Sequence, residues 1–120
     1  TAKQRRLQWL WYSEIVKSGI GDADTKATVH LHAKWQFARP ILKRDDEIFA
    51  VLLASFQEKV RQSENYSLYM RGFTDMHIST EQMTRAQRAE FLTDFQNFWT
   101  REGVNLTDPS LQGLDKFLGR

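Results

Sequence analysis

Apolar residues recur at three- and four-residue steps through most of the chain, the spacing of one face of an α-helix. Leu7, Leu10, Trp11 and Ile15 make such a stripe within residues 3–17, and Ser18-Gly19 supplies a left-handed stop. Residues 20–24 read as a turn. Asp24 or Thr25 then caps a second helix that runs to about Arg39 and ends before Pro40, with Ala27, Leu31, Trp35 and Ala38 as its core stripe. Asp45, Asp46 and Glu47 place negative charge at the start of a third helix through Ile48, Val51, Leu52, Phe56 and Val60. Ser63-Glu64 begins a shorter one through Tyr66, Tyr69, Met70 and Phe73, and residues 76–82 read as a linker. Thr84 with Gln87 forms a capping-box start for a helix through Phe91, Leu92, Phe95, Phe98 and Trp99, which Gly103 stops. Thr107-Asp108-Pro109 signals a short amphipathic tail through Leu111, Leu114, Phe117 and Leu118. The pattern predicts an all-α fold, a bundle of five to six helices in a single domain spanning residues 1–120.

Two of these helices carry more than one patterned face. Opposite the Leu7 stripe, Arg5, Trp9, Tyr12 and Val16 line up on the first helix. A helix apolar on two sides is central, pairs with a second copy, or offers one side to a ligand. The second helix carries Lys26, His30, Lys34 and Phe37 on one strip and His32, Gln36 and Arg39 on another. Long cations of this kind either cover apolar surface with their stems or meet phosphate.

A central core helix or a dimer seam is the first expectation for Trp9 and Tyr12, and charge adds weight to the ligand reading. The first 44 residues hold nine of the 17 Lys and Arg but only three of the 15 carboxylates, a local balance of about +6. Three of the four Trp lie in the same stretch. The remaining 76 residues carry eight cations against twelve carboxylates, so the formal net charge of +2 conceals a segregated chain. A cationic field attracts polyphosphate, and flat rings among cations can stack on unpaired bases. Lys3, Arg5, Arg6, Lys34, Arg39, Lys43 and Arg44 are the candidate phosphate contacts. Trp9 and Tyr12 are the candidate stacking rings.

The rest of the composition narrows the classes. With 41% apolar and 27% charged residues the chain is ordinary globular material. No cysteine is present, which removes disulfides and thiolate metal sites and suits a cytoplasmic protein. No apolar run is long enough to span a membrane. The chain opens on Thr1 instead of Met, which predicts an upstream segment. His30 and His32 are two apart and point about 200° from each other on a helix, so they cannot share a metal. Asp45, Asp46 and Glu47 resemble the acidic runs of metal nucleases, but a helix start explains them through the dipole. No phosphate-binding glycine loop or nucleophile elbow occurs, so no catalytic residue, metal or cofactor is expected.

The basic opening Lys3-Gln4-Arg5-Arg6 runs into Trp9 and Trp11, and Lys34-Trp35 and Arg39-Pro40 follow. Ile78-Ser79-Thr80, Met83, the helix to Trp99 and Arg101-Glu102-Gly103-Val104 complete the order. In this arrangement the chain resembles the phage NinB (Orf) recombination family, and more closely its YbcN-like prophage branch. The resemblance implies a dimeric, non-enzymatic accessory factor of homologous recombination. It also implies a preference for single-stranded or gapped DNA, association with host single-strand-binding protein and disturbance of base stacking. Two departures stand out. The family's β-containing N-terminal segment is missing, and Gln4-Arg5-Arg6 replaces its more usual Gln-Asn-Arg. Two other classes stay open: a protein-interaction module docking a host factor, and a small structure-specific nuclease.

Overall fold

A computed structural model describes residues 2–21 and 24–109, and every regular element among them is helical. Helix α1 spans Ala2–Ser18 and ends at Gly19, whose φ of 69° only glycine adopts without strain. Next come α2 (Lys26–Ala33), a π-helical turn (Lys34–Ala38) and α3 (Arg39–Asp45), which join without a break into one rod. Helices α4 (Glu47–Val60), α5 (Tyr66–His77) and α6 (Arg85–Arg101) complete the fold. The all-α expectation therefore holds. The amphipathic tail expected after Pro109 lies outside the described residues.

Several ends form for the reasons the sequence offers. Thr25 Oγ1 accepts the backbone N–H of Thr28, and Asp46 Oδ1 accepts that of Phe49 at 3.0 Å. The acidic run at 45–47 is thus capping and ion-pairing chemistry. Thr84 and Gln87 form the reciprocal capping box at the start of α6. Beyond α6, Gly103 turns at φ 96° and Val104 N–H closes on the Trp99 carbonyl at 2.9 Å.

The helix does not stop before Pro40. Proline lacks an N–H, and its ring collides with the carbonyl four residues back in a regular helix. Here the preceding turn is wider, with Arg39 N–H reaching the Lys34 carbonyl five residues back. The rod accommodates Pro40 at the start of α3 by spending one extra residue. That residue keeps Val29 and Ala33 in line with Phe37, Ala38 and Ile41, and all five are buried. The expected stripe of Ala27, Leu31 and Trp35 is displaced from the core: Ala27 is exposed, and Leu31 and Trp35 are half-buried. Small Val29 and Ala33 let α2 lie close on α1, which settles which side faces inward.

Helix α1 is central. Leu7, Trp11, Tyr12 and Ile15 are all buried, and so are Gln4 and Gln8. They pack against Phe91, Leu92, Phe95 and Trp99 of α6, with Trp11 lying parallel to Phe95 at 6.0 Å between centroids. After α6 the chain crosses α1, where Trp11 Nε1 donates to the Thr107 carbonyl and Glu14 accepts the Thr107 N–H, both at 2.9 Å. Helices α4 and α5 behave differently. On α4, Phe49, Leu53 and Val60 are buried, while the expected Ile48, Val51 and Leu52 face outward. Helix α5 runs on to His77, past the expected linker start at 76.

Candidate nucleic-acid interface

The first turns of α1 carry the densest cation cluster of the chain's first third. Lys3, Arg5 and Arg6 are exposed there. Trp9 follows Arg6 by three residues and Arg5 by four, so the three share one side of the helix. Trp9 is 37% exposed and rests edge-on against Tyr12 at 4.9 Å and tilted against His30 at 5.1 Å. Arg5 Nη2 donates to Glu81 Oε2 at 2.6 Å in an exposed pair. Gln4 Nε2 reaches the Arg85 carbonyl at 3.5 Å, which places the first turn of α6 beside this end of α1.

Two candidates leave the interface. Tyr12 is fully buried, so it cannot stack on a base. Lys34 is also buried, and its Nζ donates to the Asp75 carbonyl at 3.1 Å. Burial lowers the Lys34 pKa, and Asp75 partly restores it. Its long stem crosses the interior to reach α5, a structural role instead of a phosphate contact.

The second basic cluster is split. Arg39 lies over the Trp35 ring at 4.2 Å and donates from Nε to the Trp35 carbonyl, a cation–π contact at the half-buried edge of the rod. Lys43 is exposed. Arg44 is held by Asp45 at 2.7 Å and by Glu90 at 2.8 Å, and Gln87 also binds Asp45. These bonds push the Arg44 pKa up and draw Asp45 down to about 2. Arg5 and Arg44 both end on carboxylates of the 81–90 stretch, so the ends of α1 and α3 flank the start of α6.

Under Trp9 lies a polar network that pattern reading missed. Gln8 Nε2 donates to Tyr12 Oη at 2.7 Å, and Tyr12 Oη lies 2.8 Å from His30 Nδ1. With Gln8 donating, the phenol proton goes to His30 Nδ1, and His30 keeps its own proton on Nε2. Arg88 is 4% exposed and bonds Thr80 and Glu81, each at 3.4 Å. Arg88 Nε and Gln8 Oε1 have no partner among the described residues. The sequence did hold one signal here. Arg85 and Arg88 stand in the opening turns of α6, where the helix dipole disfavours cations.

His30 makes the network sensitive to pH. Burial, reinforced by Lys34, lowers its pKa from 6.5 to about 4. A base lowered in this way binds fewer protons folded than unfolded, so stability is whole above pH 6.5 and declines as pH falls toward 4. The urea midpoint should drop between pH 7.5 and 4.5, and His30→Gln should flatten much of that drop. Equal pH dependence in the variant would assign it to other groups.

Among the described residues, no three His, Asp or Glu side chains gather into a metal-holding group. No helix among them is long and apolar enough to cross a membrane. Comparison of the chain with known protein families, curated proteins and solved structures finds no match.

Proposed function

We propose that this protein is a DNA-binding accessory factor of phage or prophage homologous recombination, engaging single-stranded or gapped DNA through the first turns of α1. One observation carries the reading: Arg5, Arg6 and a half-exposed Trp9 share one side of a helix end whose first turns are cationic. Arg and Lys neutralise phosphates, and a ring beside them offers a stacking surface for an unpaired base. Lys3, Arg5 and Arg6 meet the backbone, Arg5 once phosphate displaces Glu81. Arg39 and Lys43 extend the cationic track along α3. The resemblance to the NinB family through Lys3-Gln4-Arg5-Arg6 and Trp9 supports the same role. Association with host single-strand-binding protein is the protein-docking side of this proposal.

Titration with single-stranded and duplex oligonucleotides at two salt concentrations tests this. Affinity should fall steeply with salt, and Arg5→Ala with Arg6→Ala should lower the log–log slope on single strands by about 0.7 per lost contact. Trp9→Ala should weaken single-strand binding about tenfold while leaving duplex binding nearly unchanged. Salt-independent binding, or none, would remove DNA as the ligand.

A further inference from the structure

His30 stands beside Trp9 with one ring nitrogen engaged inside the fold and the other open. The two ring centroids are 5.1 Å apart, and both rings rest on Tyr12, Trp9 at 4.9 Å and His30 at 5.3 Å. Nδ1 lies 2.8 Å from the buried Tyr12 hydroxyl. Nε2 has no hydrogen-bond partner among the described residues. Unlike Gln8 Oε1 and Arg88 Nε, it is not sealed from solvent, and His30 as a whole is only half-buried. A nucleotide resting on the indole therefore has groups within reach of this nitrogen.

The network decides what the open nitrogen can do. Burial pushes the Tyr12 hydroxyl up, so the phenol keeps its proton. Burial holds His30 down at about 4, so the imidazole is neutral near pH 7 and carries one N–H. Gln8 Nε2 donates to Tyr12 Oη and Tyr12 donates to His30 Nδ1, which leaves the imidazole proton on Nε2. Lys34, Arg88, Glu81 and Asp75 all act on the ring through their charge, yet none of them bonds to it. His30 thus presents a single outward donor, and Tyr12 is the residue that fixes it.

We infer that His30 Nε2–H is a ligand contact of the DNA interface, donating to an acceptor oxygen of the nucleotide whose base rests on Trp9. Tyr12 is its positioning residue, because it holds the proton on the outward nitrogen. The contact rests on the reading of Trp9 as a stacking ring and adds a direction that stacking and charge lack. Stacking tolerates any base, whereas a donor at a fixed point selects for acceptors. Two kinds of oxygen can meet it, a base carbonyl or a phosphate oxygen. Adenine carries no carbonyl, which separates the two.

Imidazole nitrogen NMR on the 120-residue chain reads the donor directly. Near pH 7, free His30 should show Nε2 protonated and Nδ1 accepting, and Tyr12→Phe should release it to a mixture of tautomers. A single-stranded thymidine oligonucleotide should shift His30 Nε2. His32 and His77, which lie against Phe98 and Phe73, should stay unmoved. In titrations, His30→Phe keeps a ring beside Trp9 without a donor and should weaken single-strand binding about fivefold. His30→Gln offers an amide N–H near the place of Nε2 and should recover most of that loss. A loss confined to thymidine oligonucleotides names the base carbonyl as acceptor, and an equal loss on deoxyadenosine oligonucleotides names phosphate. Circular dichroism checks that each variant is folded at the titration temperature. A free His30 protonated on Nδ1 overturns the inference whatever the DNA results, because Nε2 would then accept. So does an Nε2 signal that DNA leaves unmoved, or full affinity in folded His30→Phe. Any of these, with Trp9→Ala still weakening binding, leaves the DNA reading standing. A chain that binds no single strand loses both.

Discussion

Trp11→Ala should cost about 3–5 kcal/mol, which approaches the whole stability of a domain of this size. Trp11 is fully buried, lies parallel to Phe95, and donates its indole N–H to the Thr107 carbonyl. Truncation removes the ring's contacts, leaves a cavity between α1 and α6, and orphans a carbonyl of the strap beyond Val104. Three losses therefore fall on one side chain. Chemical unfolding followed by far-ultraviolet circular dichroism reads the cost, and the variant should be largely unfolded near 37 °C. Trp9→Ala, two positions earlier, should cost less, about 1–3 kcal/mol, because that ring is 37% exposed. A loss below about 1 kcal/mol in Trp11→Ala would mean the core is centred elsewhere.

The second large effect has opposite signs in two assays. Glu81 is an exposed carboxylate shared by exposed Arg5 and buried Arg88. Burial pushes its pKa up, but Arg88 and Arg5 together outweigh that and hold it below the ordinary range. Glu81→Ala leaves the Arg88 guanidinium with Thr80 alone, and a buried donor without its partner costs about 1–3 kcal/mol. The same change releases Arg5. DNA affinity should therefore rise while stability falls, with the single-strand salt slope steepening by about 0.7 for one added phosphate contact. Glu81→Gln separates the two effects. Its amide oxygen can still accept from Arg88, so stability should largely return, while Arg5 stays free of an ion pair and affinity stays high. Stability and affinity falling together in Glu81→Gln would show Glu81 assisting the DNA contact instead of competing with it.

Helix α6 was legible almost residue by residue. Its capping pair, its glycine stop and the inward Phe91, Leu92, Phe95 and Trp99 are all local chemistry. The stop of α1 at Gly19 and the acidic start of α4 are local in the same way. Legibility ended where a residue's type and its surroundings disagree. Gln4, Gln8, Lys34 and Arg88 read as surface by polarity, yet each is buried because another part of the fold supplies a carbonyl, hydroxyl or carboxylate. Those partners lie 41 to 81 positions away for all but Arg88, beyond any window of periodicity. Tyr12 failed as a stacking candidate for the same reason. Its hydroxyl is satisfied by Gln8 and His30, so the ring could go inside. On α4 the pattern located an apolar side, but which part of it the protomer covers depends on the packing of α3 and α5. Among the candidate contacts, Lys3, Arg5, Arg6, Lys43, Arg44 and Trp9 are exposed and Arg39 is half-buried on Trp35, while Arg5 and Arg44 are engaged by carboxylates.

The wide turn before Pro40 also acts as an angular dial. Each residue of an α-helix advances the chain by about 100°, so one residue more or less upstream re-aims everything after it. Lys43 and Arg44 lie downstream of the turn, and the start of α4 follows at Glu47. The Arg39 N–H bond to the Lys34 carbonyl thus helps to set their direction relative to α1, together with the Arg44–Glu90 ion pair that ties α3 to α6. Substitutions on the exposed side of α3 change the charge that this segment presents, whereas a change in residue count between Ala33 and Pro40 would change where it points.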